Sequence, residues 1–166
     1  MGNRFEITVV SKDERDAFQK IDKAIEEISR IEKLLTTFSD DSQTNLINRN
    51  CGIKPIKVDK EMFDIINRSI RISEITQGAF DISYGSIDKR LWNFDKDMTE
   101  LPDPIIAKKS VHLINYKNIL LNENKCSVYL KEKGMRIGFG GIGKGYAAER
   151  AKIILQQIGV ESGIVN

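Results

Sequence analysis

The chain carries one histidine, two cysteines, one tryptophan and three prolines in 166 residues. No serine or cysteine is set in a nucleophile pattern with His112, so a histidine-activated acyl-transfer centre is not indicated. Cys51 and Cys126 are far apart and show no Cys-x-x-Cys or metal-type spacing, which predicts two free thiols. Surplus charge is also missing: 26 basic residues meet 24 acidic ones, for a net charge of +2. The two signs alternate, so there is no basic footprint for nucleic acid. No apolar run approaches the roughly 20 residues that span a bilayer. Internal repeats and low-complexity linkers are absent. There is no signal peptide, although Met1 stands directly at a strand-like start, as a removed leader would leave it. What remains is 40% apolar and 30% charged, an ordinary globular balance in a chain long enough for one domain with a sizeable core.

The chemistry concentrates between Met135 and Ile158. Gly138, Gly140, Gly141, Gly143, Gly145 and Lys144 separate a short strand-like run from a helical pattern. Glycine allows close backbone approach, a helix start offers N–H groups, and Lys144 adds a full charge. Together they suggest an anion site, most naturally for phosphate. Gly138-x-Gly140-x-x-Gly143 fits the dinucleotide fingerprint, with Glu161 near the ribose-reading distance. The preceding segment, however, reads as an antiparallel meander and not as a βαβ unit. Gly138-x-x-x-x-Gly143-Lys144 fits a P-loop until Gly145 takes the place of the hydroxyl ligand.

Elsewhere, Arg4 to Val10 reads as a strand. Asp13 to Thr37 reads as a helix whose core stripe runs through Phe18, Ile21, Ala24 or Ile25, Ile28, Ile31, and Leu34 or Leu35. Ser39 to Asn50 reads as a polar loop, with Ser42, Asn45 and Asn48 as solvated turn residues or pocket lining. Pro55 to Val58 is a strand. Asp59 caps a second helix carrying Met62, Phe63, Ile65, Ile66, Ile70 and Ile75, which Gly78 ends. Ala79 to Ser83 reads as a strand entry, with Asp81 turned outward by the pleat or holding a partner; the outward position is the favoured one. Gly85 to Met98 is irregular, with Leu91 and Trp92 buried. A short helix from Pro102 to Ser110 follows, with His112 structural near its end. Then come strands at 117–121, 127–130 and 135–139, a helix from Lys144 to Ile158 ended by Gly159, and a last strand from Val160. This order predicts an α+β fold, an antiparallel sheet packed against helices.

Several stretches, in order, resemble the ApbE family of FAD-dependent protein flavin transferases. They are Met1-Gly2-Asn3, Leu34 to Phe38 followed by Ser42 and Asn48, Gly78-Ala79-Phe80-Asp81-Ile82, and Gly140-Gly141-Ile142-Gly143-Lys144-Gly145-Tyr146-Ala147. The resemblance covers nearly the whole chain. It implies a T-fold-like domain over residues 1–166, truncated relative to the family and forming its N-terminal, FAD-binding part. It implies FAD as substrate, magnesium as the metal, and transfer of FMN to a Thr or Ser of a target flavoprotein, typically a redox-pump subunit. By position, Met1, Phe38, Ala79, Phe80, Asp81 and Lys144 match FAD-contacting residues, and the Gly141 carbonyl matches a metal ligand. Gly138 stands where the family commonly has Asp, and Glu149 replaces an Asp after Tyr-Ala. The family's second half supplies further metal ligands, so the resemblance leaves two readings: part of a transferase, or an inactive flavin- or nucleotide-binding remnant. It also implies a periplasmic or lipoprotein-anchored location. A sheet edge left open would favour homo-oligomers or aggregation.

Overall fold

Asp13 starts the first helix. Its carboxylate accepts a hydrogen bond from the Asp16 N–H at 2.9 Å, satisfying one donor of the opening turn of α1 (Glu14–Leu35). The computed structural model describes residues 4–87 and 103–166. They form two compact units, one of residues 4–36 and 140–166, the other of residues 37–87 and 103–139.

In the first unit α1 packs on α5 (Gly143–Gln157). The buried line on α1 is Ala24, Ile28, Ile31 and Leu35; on α5 it is Gly143, Ala147, Ala151 and Leu155. Both follow the three-to-four-residue helical period, and the small residues of α5 permit close approach. The predicted stripe is too wide at its start: Phe18 is 59% exposed and Ile25 is also exposed. α5 has 15 residues against 22 for α1 and cannot run beside every turn. β1 (Ile7–Val9) pairs antiparallel with β5 (Gly163–Val165), Thr8 facing Ile164. Gly163 makes this pairing close, since a Cβ there would lie 2.6 Å from the Thr8 carbonyl oxygen. Gly159, with φ +82°, ends α5 as expected.

Glu27 ties α1 to α5. It accepts from Arg30 Nε at 2.8 Å and from Arg150 Nε at 3.1 Å. The Arg30 hydrogen bond, with help from Arg150 and against partial burial, holds the Glu27 carboxyl below its ordinary range. A depressed carboxylate pKa adds stability that is complete above the unfolded value and drains away as pH falls through the folded one. Glu27→Gln should therefore be about 1 kcal/mol less stable than the parent at pH 7, with the difference closing below about pH 4. Urea melts across that range check it.

The second unit holds a three-stranded antiparallel sheet in the order β2 (Ile56–Lys57), β4 (Ser127–Leu130), β3 (Ile119–Asn122). α3 (Lys60–Ile75) buries Met62, Phe63, Ile65, Ile66, Ser69 and Ser73, while Ile75 is 81% exposed and not core. Asp59 precedes α3 without capping it through its side chain. It instead exchanges hydrogen bonds with Gln43, whose Oε1 accepts from the Asp59 N–H at 2.9 Å and whose Nε2 donates to the Asp59 carboxylate. α4 (Pro104–Val111) matches the predicted short helix, and His112 just beyond it is exposed. Cys51 and Cys126 are free thiols. Leu91, Trp92 and most of the predicted irregular stretch lie outside the described residues.

Three sequence expectations fail here. The supposed loop at 39–50 contains α2 (Gln43–Arg49), capped by Ser42 and burying Thr44, Asn45, Ile47 and Asn48. Ala79 to Ser83 does not extend into a strand, because Asp81 caps a 3-10 turn at Ile82–Ser86. Residues 135–139 pair with no strand among the described residues, although Met135, Ile137 and Phe139 alternate into the core as a strand would. Side chains bind their backbone groups. Asn48 donates to the Ile137 carbonyl at 3.0 Å and accepts from its N–H at 2.8 Å. Ser86 Oγ accepts from the Arg136 N–H at 2.9 Å and donates to its carbonyl at 3.0 Å.

Candidate functional site

In the second unit, Asp81 lies on the wall of an open hollow of about 420 Å³, with Gly78, Glu74, Tyr116 and Lys117 around it. The favoured outward position for Asp81 is overturned: the carboxylate is held. Oδ1 accepts from the Ser83 N–H at 2.8 Å and from Ser83 Oγ at 2.6 Å, and Oδ2 accepts from the Tyr116 N–H at 2.8 Å. A carboxylate accepts about four hydrogen bonds. Three are made inside the unit, which leaves one acceptor direction for a bound group. Asp81 is thus a rigid acceptor that also fastens the Tyr116–Asn118 turn. Lys117 adds a cation to the same hollow, its Nζ 5.9 Å from the Tyr116 ring centroid.

Ala79 is exposed and Phe80 half-buried, on the short bridge between α3 and the Asp81 turn. The Phe80 N–H donates to Thr76 Oγ1 at 3.1 Å. Gly138 is near the same turn, its N–H donating to the Ile82 carbonyl at 2.9 Å. A Cβ at Gly138 would meet only Gly85 Cα, at 3.8 Å, so the position has room for a side chain. Phe38 is 90% exposed. Ser42, Asn45 and Asn48 are buried and not solvated; their side chains satisfy backbone groups. Met1 lies outside the described residues.

In the first unit, Gly141 and Lys144 belong to the loop that opens α5. The residue before the helix is Ile142, which has no capping oxygen, and the first helical bond runs from the Tyr146 N–H to the Ile142 carbonyl at 3.0 Å. The N–H groups of Gly143, Lys144 and Gly145 therefore have no acceptor within the helix. Among the described residues, Cβ atoms at Gly140 and Gly145 would meet nothing within 4 Å, so these two positions border open space. Lys144 Nζ sits 5.5 Å from the Phe5 ring centroid. A hollow of about 330 Å³ lies along α5 and β5, lined by Glu149, Lys152, Gln156, Glu161 and Val165; it holds the two acids noted in the sequence, Glu149 and Glu161, and none of the residues matched to FAD contacts.

The structure thus groups Ala79, Phe80, Asp81 and Gly138 around one turn, and Gly141 with Lys144 at one helix start. Sequence reasoning missed Ser83, Tyr116 and Phe5. A serine two residues after an aspartate is the one local signal that could have indicated the Asp81 turn.

A family model described as "ApbE family" matches residues 1–166. An FAD:protein FMN transferase of Klebsiella pneumoniae is 31% identical over 166 residues, covering all of this chain and 51% of its own length. One from Treponema pallidum is 26% identical, covering 89% of this chain and 43% of its own. The crystal structure of the ApbE protein of Thermotoga maritima superposes with a TM-score of 0.85 at 26% identity, over 98% of this chain and 52% of that one. The chain therefore spans about half the length of the curated relatives it matches.

Proposed function

This chain belongs to the ApbE family, and from that premise we propose that it forms the FAD-binding part of an FAD:protein FMN transferase. In that reaction a Thr or Ser hydroxyl of a target flavoprotein attacks the FMN phosphorus of FAD. A phosphoester forms, the pyrophosphate P–O bond breaks, AMP leaves, and the hydroxyl gives up its proton. Such chemistry needs charge neutralisation and positioning more than a protein nucleophile. The observation that carries the reading is the loop of Gly140 to Lys144, where uncapped helix N–H groups, open space and an ammonium meet. Lys144 would balance pyrophosphate charge and the N–H groups of that first turn would orient its oxygens. In the other unit, Phe38 and Asp81 match FAD-contacting positions of the family by resemblance, and Asp81 is a fixed acceptor there.

Magnesium is the metal the family resemblance implies. Among the described residues no three His, Cys, Asp or Glu side chains gather as a cage, and the Gly141 carbonyl alone is not a site. The described residues do not fit the ion by themselves, and no step is assigned to it. The second reading is a flavin- or nucleotide-binding remnant without transferase activity, and the transfer experiment below separates the two. The remaining expectations stand as part of the proposal: a redox-pump subunit as target, a periplasmic or lipoprotein-anchored location, and self-association through a sheet edge. No helix among the described residues is long and apolar enough to cross a membrane.

FAD and riboflavin titrations test the reading. The parent should bind FAD, and Lys144→Ala should weaken FAD by about tenfold or more, the loss of a charged hydrogen bond, while leaving riboflavin unchanged. Equal weakening of both ligands refutes the role of Lys144. A covalent FMN mass on a target domain incubated with FAD and magnesium separates transferase from remnant.

A further inference from the structure

We propose that Phe5 is a positioning residue for Lys144, holding its ammonium at the glycine loop for an incoming phosphate; this rests on the pyrophosphate reading of that loop. A lysine in the first turn of a helix stands at the positive end of the helix dipole, which pushes its charge away. Its four-carbon stem is flexible and its ammonium well hydrated, so nothing intrinsic keeps it there. Phe5 supplies a restraint. Its ring centroid is 5.5 Å from Lys144 Nζ, within the roughly 6 Å over which a ring face attracts a cation.

The backbone that carries the ring is itself fixed. The next residue, Glu6, exchanges backbone hydrogen bonds with Asn166, at 2.8 Å and 2.9 Å, continuing the β1–β5 ladder. The Glu6 carboxylate is engaged by Arg4 at 2.6 Å, so the neighbouring acid has its own cation. Phe5 and Lys144 are both half-buried: shielded enough for the attraction to count, open enough for a ligand to reach the amine. The neutral ring leaves the ammonium's charge uncompensated, as a carboxylate partner would not. A phosphate would thus meet a cation that is already placed.

The ligand-free chain and its titrations decide the matter. NMR should show the Lys144 side-chain methylene signals shifted upfield by the Phe5 ring, and returned to ordinary values in Phe5→Leu. FAD affinity should fall about two- to fivefold in Phe5→Leu and recover in Phe5→Trp, with riboflavin affinity unchanged. In a Lys144→Ala background Phe5→Leu should cause no further loss. Equal losses in both backgrounds, no recovery with Trp, or ordinary Lys144 shifts in the parent overturn the positioning role alone. Unchanged FAD affinity in Lys144→Ala overturns the pyrophosphate reading and this inference with it.

Discussion

Asn48→Ala should destabilise the protein by about 3–4 kcal/mol, because it strands two buried backbone groups at once. Asn48 is 5% exposed and Ile137, whose N–H and carbonyl it satisfies, is 1% exposed. Water cannot replace the amide without opening the core around Met135, Ile137 and Phe139. Asn48→Asp makes a sharper test. Ionised, it still accepts from the Ile137 N–H but turns a second oxygen toward the Ile137 carbonyl. Protonated, it regains a donor. Its stability should therefore be poor at pH 7 and recover as the carboxyl protonates. Asn50→Ala, which removes an exposed bond to the Leu46 carbonyl, should cost no more than about 0.5 kcal/mol. Urea denaturation of the three variants gives the comparison, and an Asn48→Ala loss as small as that of Asn50→Ala would show that the amide does not hold the segment.

Gly85→Ala is expected to be nearly as severe. An added Cβ would lie 2.7 Å from the Ile137 carbonyl carbon and 2.9 Å from the Gly138 nitrogen. These are backbone atoms of the segment that Asn48 and Ser86 clamp, so they cannot swing aside as a side chain would. Overpacking of this kind costs about 1–3 kcal/mol and sometimes more. Gly140→Ala has open space and should be within about 1 kcal/mol of the parent. Thermal melts of the pair check the contrast; a stable Gly85→Ala protein would mean that the turn and the 137–138 backbone part easily.

These two positions also show where the sequence was readable. α1, α3 and α5 were legible because apolar residues repeat at helical spacing, and their ends fell within about two residues of expectation, as boundary definitions allow. α2 was hidden because its inward face carries Thr44, Asn45 and Asn48, polar residues buried by their hydrogen bonds. The 135–139 run has the alternation of a strand, and its side chains obey it. Its distant hydrogen-bond partners come from residues 48, 82 and 86, which no local pattern announces. Asp81 was misread for a related reason: Ser83 and Tyr116 bind its carboxylate, and Tyr116 is 35 residues away. The glycine loop and Lys144 were legible as chemistry, since glycine spacing and a helix start are local features. Phe5 was not, because it takes the packing of α1 on α5 and the pairing of β1 with β5 to bring the chain's two distant segments into one unit.

That pairing has a consequence for biosynthesis. Residues 4–36 share a unit with residues 140–166, and a hundred-odd residues of the other unit are inserted between them. At roughly 10 residues per second on a ribosome, α1 waits about ten seconds for α5 and β5. During that wait its apolar line of Ala24, Ile28, Ile31 and Leu35 has no α5 to cover it. The inserted unit is contiguous and can collapse first, so nascent α1 is the stretch most in need of a chaperone.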